Sequence, residues 1–179
     1  MTDEMVDGHY RGWADRVADG LAKESGTFTY ANLAVRGKLL PQVIEDQLEI
    51  ALSFVTGPDT LISFHAGAND ALRPGFDQAL AKQRYHSAVR TLAASGATIM
   101  LFTVLEDTGN SGRGSKLWQE RFAAFNNGVR EVAAEVGAIL LDANQERFFS
   151  DRRFLAFDRL HLNSLGHSRS ADAILEKLG

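Results

Sequence analysis

The chain has 179 residues, close to the size of one domain, so one site should carry its function. Its 45% hydrophobic and 23% charged residues match an ordinary soluble fold and argue against a disordered, collagen-like or coiled-coil protein. A formal net charge of −4, from 19 Lys and Arg against 23 Asp and Glu, offers no basic surface for nucleic acid or an anionic membrane.

The cysteine content and the length of the apolar runs narrow the possible classes of protein further. The chain has no cysteine, which excludes disulfides, thiolate zinc sites and a cysteine nucleophile. Its longest apolar runs, such as residues 97–105, are far shorter than the roughly 20 residues of a membrane-spanning helix. The first residues, MTDEMVDGHYRGW, are acidic and polar where a secretory signal would be basic and then apolar. We therefore expect no membrane span and a cytoplasmic protein, unless the true amino terminus is missing from this sequence.

The first part of the chain alternates predicted helices with predicted strands. Apolar residues recur at helical spacing over residues 10–21, and the β-branched and aromatic stretch TFTYANLAV predicts a strand over residues 27–35. A proline suited to a first helical turn and an apolar stripe predict a helix over residues 41–52. The continuous apolar run TLISF predicts a buried parallel strand at residues 60–64.

The second part repeats this alternation. Helices are predicted over residues 76–94 and 117–136, and each is followed by glycine and a short apolar strand, at residues 97–105 and 138–141. A last amphipathic helix, with Asn163 as its N-cap, closes the chain at residues 163–178.

This order of elements predicts an α/β fold in which helices cover a flavodoxin-like parallel sheet on both faces, giving three layers in a single domain of residues 1–179. Functional groups in such sheets gather on loops past the carboxyl ends of the strands. The chain begins with a helix, whereas a doubly wound domain usually begins with a strand near the middle of the sheet.

Two loops after predicted strands carry polar groups that a core does not need. The first contains Gly37, whose backbone N–H can approach a ligand closely, although a plain turn glycine is the alternative. The second reads Gly67-Ala68-Asn69-Asp70, where the Asn69 amide can donate to a developing negative charge or can simply form a turn. Asp70 is expected to accept backbone N–H groups in its loop or to cap the next helix.

A third loop holds Asp158 and His161 just before the last helix. At this spacing the carboxylate can fix the ring through Nδ1 and leave Nε2 as a general base, although an Asp-x-x-His pair also arises by chance. No two histidines show the helical spacing of a metal site, so we expect no metal. Ser63 falls inside a predicted buried strand, where its hydroxyl would bond to backbone.

The order of these three loops resembles the SGNH hydrolase superfamily, also called GDSL-like esterases and lipases. The resemblance covers residues 8–179 and is strongest at AGAND and at DRLHLNSLGH. It implies Gly37 and Asn69 as oxyanion donors, His161 as general base and Asp158 as its partner. It also implies an enzyme that hydrolyses a small-molecule ester through an acyl-enzyme, with no metal or organic cofactor.

One role in that pattern is unfilled. The family's nucleophile is the serine of a Gly-Asp-Ser motif after the first strand, and the chain contains no Gly-Asp-Ser and no Gly-x-Ser-x-Gly. We interpret the missing motif and the opening helix together as an amino-terminal truncation that removed the first strand and its serine. The chain as written is then expected to be inactive.

Two other interpretations stay open. A non-catalytic relative could keep the cleft for ligand binding after losing the nucleophile. A flavodoxin-like signalling or nucleotide-binding domain is less favoured, because no Gly-rich phosphate loop joins a strand to a helix.

Overall fold

The computed structural model describes residues 5–6, 8–107 and 115–179. It divides the chain into two compact units. The terminal unit comprises Met1–Ala34 and Glu146–Gly179, and the central unit comprises Val35–Gln145.

The central unit is built on a three-stranded parallel sheet. Strand β3 is Leu61–Phe64, β4 is Thr98–Phe102 and β5 is Ile139–Leu141, in the order β3-β4-β5. The β4 strand lies in the middle and is almost wholly buried, as its continuous apolar sequence predicts. All three strands therefore point their carboxyl ends toward one edge, where their loops carry the polar residues described below.

Helices of the central unit pack around this sheet. They are α2, Leu40–Ser53; the short α3, Ala68–Ala71; α4, Gln78–Ala94; and α5, Ser115–Val136. Helix α4 packs against both α2 and α5. The buried Tyr85 ring joins sheet and helices, with its centroid 5.3 Å from Phe64 and 5.3 Å from Phe125. This aromatic group belongs to the main apolar core of the unit.

The terminal unit contains two long helices and several short elements. A small antiparallel hairpin joins β1, Met5–Val6, to β2, His9–Tyr10. Helix α1, Trp13–Glu24, packs against α6, Ser164–Leu178. Two short 3-10 helices, Arg147–Ser150 and Arg152–Phe154, precede α6. The close fit of α1 on α6 is visible at Gly20, where an added Cβ would lie 2.7 Å from Leu175 Cδ1.

The predicted α/β class and the parallel sheet are confirmed, and so are the predicted helices and the strands near residues 60–64, 97–105 and 138–141. Most of these elements shift by only a few residues at their ends. None of the described helices is long and apolar enough to cross a bilayer.

The predicted strand at residues 27–35 is wrong. This stretch forms no strand and is mostly exposed. The Asn32 side chain accepts the Ala34 N–H at 3.0 Å, a local bond that turns the backbone. The Tyr30 hydroxyl donates to Asp15 of α1 at 3.0 Å, which holds the stretch by a side chain. Strand-like composition was not sufficient, because a strand also needs a paired neighbour.

The first strand of a doubly wound sheet is not found among the described residues, and β3 lies at one edge of the sheet. The expectation that Ser63 would be buried is also wrong, since its side chain lies on this edge strand and is exposed. An edge strand covers its own side chains less completely than a central one.

Candidate active site

Asp158 and His161 lie on a small hairpin of residues 154–163, here called the dyad hairpin. Leu155 and Leu162 form an antiparallel bridge, and the Ala156 N–H donates to the His161 carbonyl at 2.8 Å. Between these arms the chain turns sharply, and Arg159 takes a left-handed conformation with φ of 56°. The turn brings the two side chains of the predicted dyad to the same side.

The Asp158 carboxylate organises this turn. Its Oδ2 lies 2.7 Å from His161 Nδ1, and its Oδ1 accepts the backbone N–H groups of Leu160 at 3.0 Å and His161 at 3.1 Å. Partial burial acts to raise the pKa of Asp158, but these bonds outweigh it and hold the pKa below its ordinary value. The carboxylate is therefore ionised at neutral pH and can fix the imidazole.

The remaining ring nitrogen of His161 is available for chemistry. Nδ1 is engaged by Asp158, and Nε2 has no hydrogen-bond partner among the described residues. The side chain of His161 is half exposed, so a substrate can reach it. The arrangement matches a general base whose tautomer is set by a neighbouring carboxylate.

Asn163 and Gly166 attach the dyad hairpin to α6. The Asn163 Oδ1 accepts the Gly166 N–H at 2.9 Å and so caps the helix, as predicted. Its Nδ2 donates to the Arg153 carbonyl at 2.8 Å and to the Leu155 carbonyl at 3.1 Å. A Cβ on Gly166 would clash with the Phe154 carbonyl oxygen, so the hairpin rests directly on the helix backbone.

Asn69 contacts the segment next to Gly37 in the central unit, at a place here called the Asn69 corner, residues 37–40 and 67–70. The Asn69 Nδ2 donates to the Lys38 carbonyl at 3.0 Å, across 31 residues of sequence. Lys38 directly follows Gly37, whose own N–H has no partner among the described residues. One hydrogen of the Asn69 amide and the Gly37 N–H are thus unused donors in the same corner.

Glycine is required twice in this corner. Gly37 has φ of +83° and open space around it, which suits a backbone donor that faces a ligand. Gly67 has φ of +102°, and a Cβ there would lie 2.6 Å from the Phe125 ring. The loop after β3 therefore sits directly on the aromatic core.

Asp70 connects the two segments of the corner, residues 37–40 and 67–70, by a hydrogen bond. Its Oδ2 accepts the Leu40 N–H at 2.8 Å, an otherwise unpaired donor at the start of α2. The role is structural, as expected, but the N–H that Asp70 accepts belongs to α2 and not to its own loop or to the next helix. Desolvation raises the pKa of Asp70, and the Leu40 bond only partly opposes that rise.

Arg121 of α5 supports the same loop and was not foreseen from the sequence. Its Nη1 donates to the carbonyls of Ala71 and Arg73, each at 2.9 Å. These carbonyls follow Asn69 at the end of α3, where helix geometry leaves acceptors unpaired. No local pattern predicts this contact, because the bond partners are about 50 residues apart.

A buried polar network past β4 and β5 was also missed. Asn126 is fully buried, and its amide accepts the Val104 N–H at 2.9 Å and donates to the Val104 carbonyl at 2.8 Å. Burial acts to raise the pKa of Asp142, but bonds from Arg130 and Thr103 lower it to about 2. Asp142, a polar residue directly after β5, was the sequence feature that could have indicated this network.

His65 does not resemble a second base. Its ring stacks on Phe102 with centroids 5.2 Å apart, and desolvation lowers its pKa to about 4 while part of the residue stays exposed. It is neutral at physiological pH. In the part of the chain that the structure describes, no cluster of three His, Asp or Glu side chains could hold a metal ion.

The predicted site residues therefore fall into two pairs. Asp158 and His161 contact each other in the terminal unit, and Gly37 and Asn69 share a corner of the central unit. Comparison with known protein families gives a match over residues 1–169 to the model of the GDSL-like lipase/acylhydrolase family. The chain belongs to the GDSL-like lipase/acylhydrolase family.

Several solved structures share the fold. The acetylxylan esterase Axe2 from Geobacillus stearothermophilus is 18% identical, with a TM-score of 0.76, and the match covers 96% of this chain and 83% of that one. A GDSL-family lipolytic protein from Veillonella parvula is 18% identical, with a TM-score of 0.74, covering 97% and 89%. The esterase EstA from Pseudoalteromonas sp. is 17% identical, with a TM-score of 0.69, covering 93% and 85%. No curated protein sequence matches the chain.

Proposed function

We propose that the chain supplies the general base and the oxyanion donors of a serine-dependent ester hydrolase. The observation that carries this proposal is the 2.7 Å contact between Asp158 Oδ2 and His161 Nδ1, with Nε2 left free. Membership of the GDSL-like family supports ester or acyl hydrolysis as the reaction.

The roles follow from the free atoms. His161 Nε2 takes the proton of a serine hydroxyl as the oxygen attacks the ester carbonyl, and Asp158 stabilises the resulting imidazolium. The Gly37 N–H and the second hydrogen of the Asn69 amide donate to the oxyanion. When the tetrahedral intermediate collapses, Nε2 returns the proton to the leaving alcohol, and water then releases the acyl group by the same steps.

We further propose that these 179 residues by themselves do not turn over an ester. No serine stands in a Gly-Asp-Ser motif. Ser63, although exposed, lies in the middle of β3, with no glycine turn that would present its hydroxyl. The proposal needs no cofactor, and it assigns a small-molecule ester as the substrate without specifying its acyl or alcohol part.

Labelling with a fluorophosphonate probe tests both proposals. The protein from its native source should be labelled at one serine, and the recombinant 179-residue chain should not be labelled. A label on a serine within the 179 residues that disappears in His161→Ala would show that the chain is active by itself. Absence of any label in the native protein would overturn the hydrolase proposal and favour ligand binding without catalysis.

The base assignment has its own test in variants of the native protein that carry no label. His161→Ala should abolish ester hydrolysis, and Asp158→Asn should lower kcat by about 10⁴, because the imidazole loses its orientation. Asn69→Ala should lower kcat by roughly 10²–10³ through the lost oxyanion donor. Near wild-type turnover in His161→Ala would reject the assignment.

A further inference from the structure

The proposed oxyanion donor Asn69 lies in α3, a helix of only four residues. Inside this helix, the N–H groups of Asp70 and Ala71 share the Gly67 carbonyl, at 3.1 and 3.4 Å. Isolated helices shorter than about 12–15 residues are marginal in water, so a single turn does not keep its own geometry. The direction of the Asn69 amide is therefore set by contacts from outside α3.

Helix α5 contacts α3 at both of its ends. At the first end, the Phe125 ring occupies the space beside Gly67, where an added Cβ would lie 2.6 Å from the ring. At the other end, Arg121 Nη1 donates to the carbonyls of Ala71 and Arg73, each at 2.9 Å. Arg121 and Phe125 are four residues apart on α5 and therefore share one face of that helix. An aromatic contact and two charge-assisted hydrogen bonds thus hold α3 against α5.

The Arg121 side chain is itself held in place. Its guanidinium carbon lies 5.6 Å from the centre of the Phe76 ring, within the range of a cation–π contact. Phe76 follows Gly75, where the backbone turns with φ of +73°. One guanidinium therefore contacts the chain at Ala71, Arg73 and Phe76, directly after the proposed donor.

We propose that Arg121 is a positioning residue for the oxyanion donor Asn69. This inference rests on the proposed function and deepens it, because Arg121 keeps the second amide hydrogen of Asn69 aimed at the place where the oxyanion forms. Both hydrogens of Arg121 Nη1 go to backbone carbonyls, so the residue acts through α3. An oxyanion develops only in the transition state, and loss of this positioning should therefore lower kcat and leave KM unchanged.

NMR of the 179-residue protein tests the positioning without ester turnover. The side-chain amide signals of Asn69 are assigned by their loss in Asn69→Ala. In Arg121→Met, which donates no hydrogen bond, these signals should move toward the values of a free asparagine side chain. Arg121→Lys should restore them in part, since an ammonium can donate to both carbonyls from one nitrogen.

Arg90→Met is the matched control. Arg90 Nε and Nη2 donate to the Glu135 carboxylate of α5 at 2.7 and 2.9 Å, so this variant also removes two guanidinium hydrogen bonds that end on α5 or begin there. Neither Arg90 nor Glu135 belongs to the Asn69 corner, and the Asn69 signals should match those of wild type. Signals that move equally in Arg90→Met and Arg121→Met would overturn the proposal.

Phe76→Leu is a second variant, which loosens the guanidinium and leaves Arg121 able to donate. It should move the Asn69 signals in the same direction as Arg121→Met, by a smaller amount. Unchanged signals in a folded Arg121→Met would overturn the proposal. If Arg121→Met does not fold, unchanged signals in Phe76→Leu would overturn it.

Kinetics of the native protein, carrying the same substitutions, test the consequence for catalysis. Arg121→Met should lower kcat by about 10- to 100-fold, a smaller loss than that of Asn69→Ala, and should change KM by less than about twofold. Arg121→Lys should recover part of kcat. A higher KM with kcat unchanged in Arg121→Met would contradict the positioning role.

Failure of this inference differs from failure of the proposed function. Unmoved Asn69 signals, together with native hydrolysis that is lost in His161→Ala, would reject the role of Arg121 and leave the hydrolase intact. Moved Asn69 signals, in a protein whose native form no fluorophosphonate labels, would support the positioning of Asn69 and reject hydrolysis.

Discussion

The dyad hairpin and the Asn69 corner hold their functional groups by different means. In the hairpin, Asp158 and His161 are three residues apart, a local turn brings them together, and both side chains are partly exposed. In the corner, Asn69 reaches the Lys38 carbonyl across 31 residues, and Gly67 lies against the buried Phe125 ring. The proposed base thus depends on local backbone geometry, whereas the proposed oxyanion donors depend on the packed core.

The largest loss of stability should come from Gly67→Ala, which disturbs the packing of the Asn69 corner against the core. The left-handed backbone costs about 1–2 kcal/mol for alanine, and forcing a Cβ against the Phe125 ring adds about 1–3 kcal/mol, so we expect a loss near 3 kcal/mol. Urea unfolding measures this loss.

Gly75→Ala separates the two contributions. Gly75 also has a positive φ, +73°, but its Cβ would meet nothing within 4 Å. This control should lose only about 1 kcal/mol from backbone strain. Equal losses in Gly67→Ala and Gly75→Ala would show that the contact with Phe125 contributes nothing to the corner.

Gly166→Ala disturbs the packing of the dyad hairpin against α6 in the same way. Its Cβ would press on the Phe154 carbonyl, at a cost of about 1–3 kcal/mol, although alanine recovers about 1 kcal/mol of helix propensity. We expect a net loss near 1 kcal/mol in urea unfolding, and altered NMR shifts for the His161 ring.

Gly128→Ala is the matched helical control for Gly166→Ala. Its Cβ would lie 3.3 Å from Lys82 Cγ, a flexible side chain that can move. Stability should be unchanged or rise by up to about 1 kcal/mol. If Gly166→Ala changed the stability no more than this control does, the hairpin would not depend on its close contact with α6.

Removing the functional side chains themselves sharpens the comparison. Asn69→Ala deletes a half-buried hydrogen bond and should cost about 1 kcal/mol of stability. His161→Ala deletes a half-exposed contact and should cost less than about 0.5 kcal/mol. Thermal unfolding of both variants distinguishes them, and a larger loss in His161→Ala would contradict the view that the hairpin is held by its backbone.

The same difference explains what the sequence could predict. The pair of Asp158 and His161 could be predicted from the sequence, because the two residues lie within one turn and the N-cap Asn163 marks where the helix begins. The helices and the three paired strands follow from local apolar periodicity. Asn69 could be predicted only as a loop residue after a strand, and Gly37 only as a glycine after a predicted strand that does not form. The bond from Asn69 to the Lys38 carbonyl depends on how the central unit packs.

Contacts without a local pattern were not predictable. Arg121 binds carbonyls about 50 residues away, and Asn126 lies in a helix that gives no sign of its bond to Val104. The strand predicted at residues 27–35 failed for a related reason, because composition reports propensity and says nothing about a pairing partner. Long-range hydrogen bonds are set by the folded geometry alone.

The smallest effects concern pH, and they should have opposite signs in the two regions. Desolvation raises the pKa of Asp70, with the Leu40 bond in partial opposition, whereas hydrogen bonds lower that of Asp158 despite its partial burial. An unfolded aspartate titrates near pH 3.9. The free energy of unfolding, measured in urea from pH 3 to pH 7, can be compared for wild type, Asp70→Asn and Asp158→Asn.

The sign for each residue follows from proton binding. Asp158 has a depressed pKa, so its stabilising contribution is complete above about pH 3.9 and is lost as pH falls through the folded pKa. Asp70 has an elevated pKa, so its contribution is complete below that pH and is lost as pH rises. The stability advantage of wild type over Asp158→Asn should therefore grow with pH, and its advantage over Asp70→Asn should shrink. Slopes of the same sign would mean that the two carboxylates sit in similar environments, and the contrast between an exposed turn and a packed corner would fail.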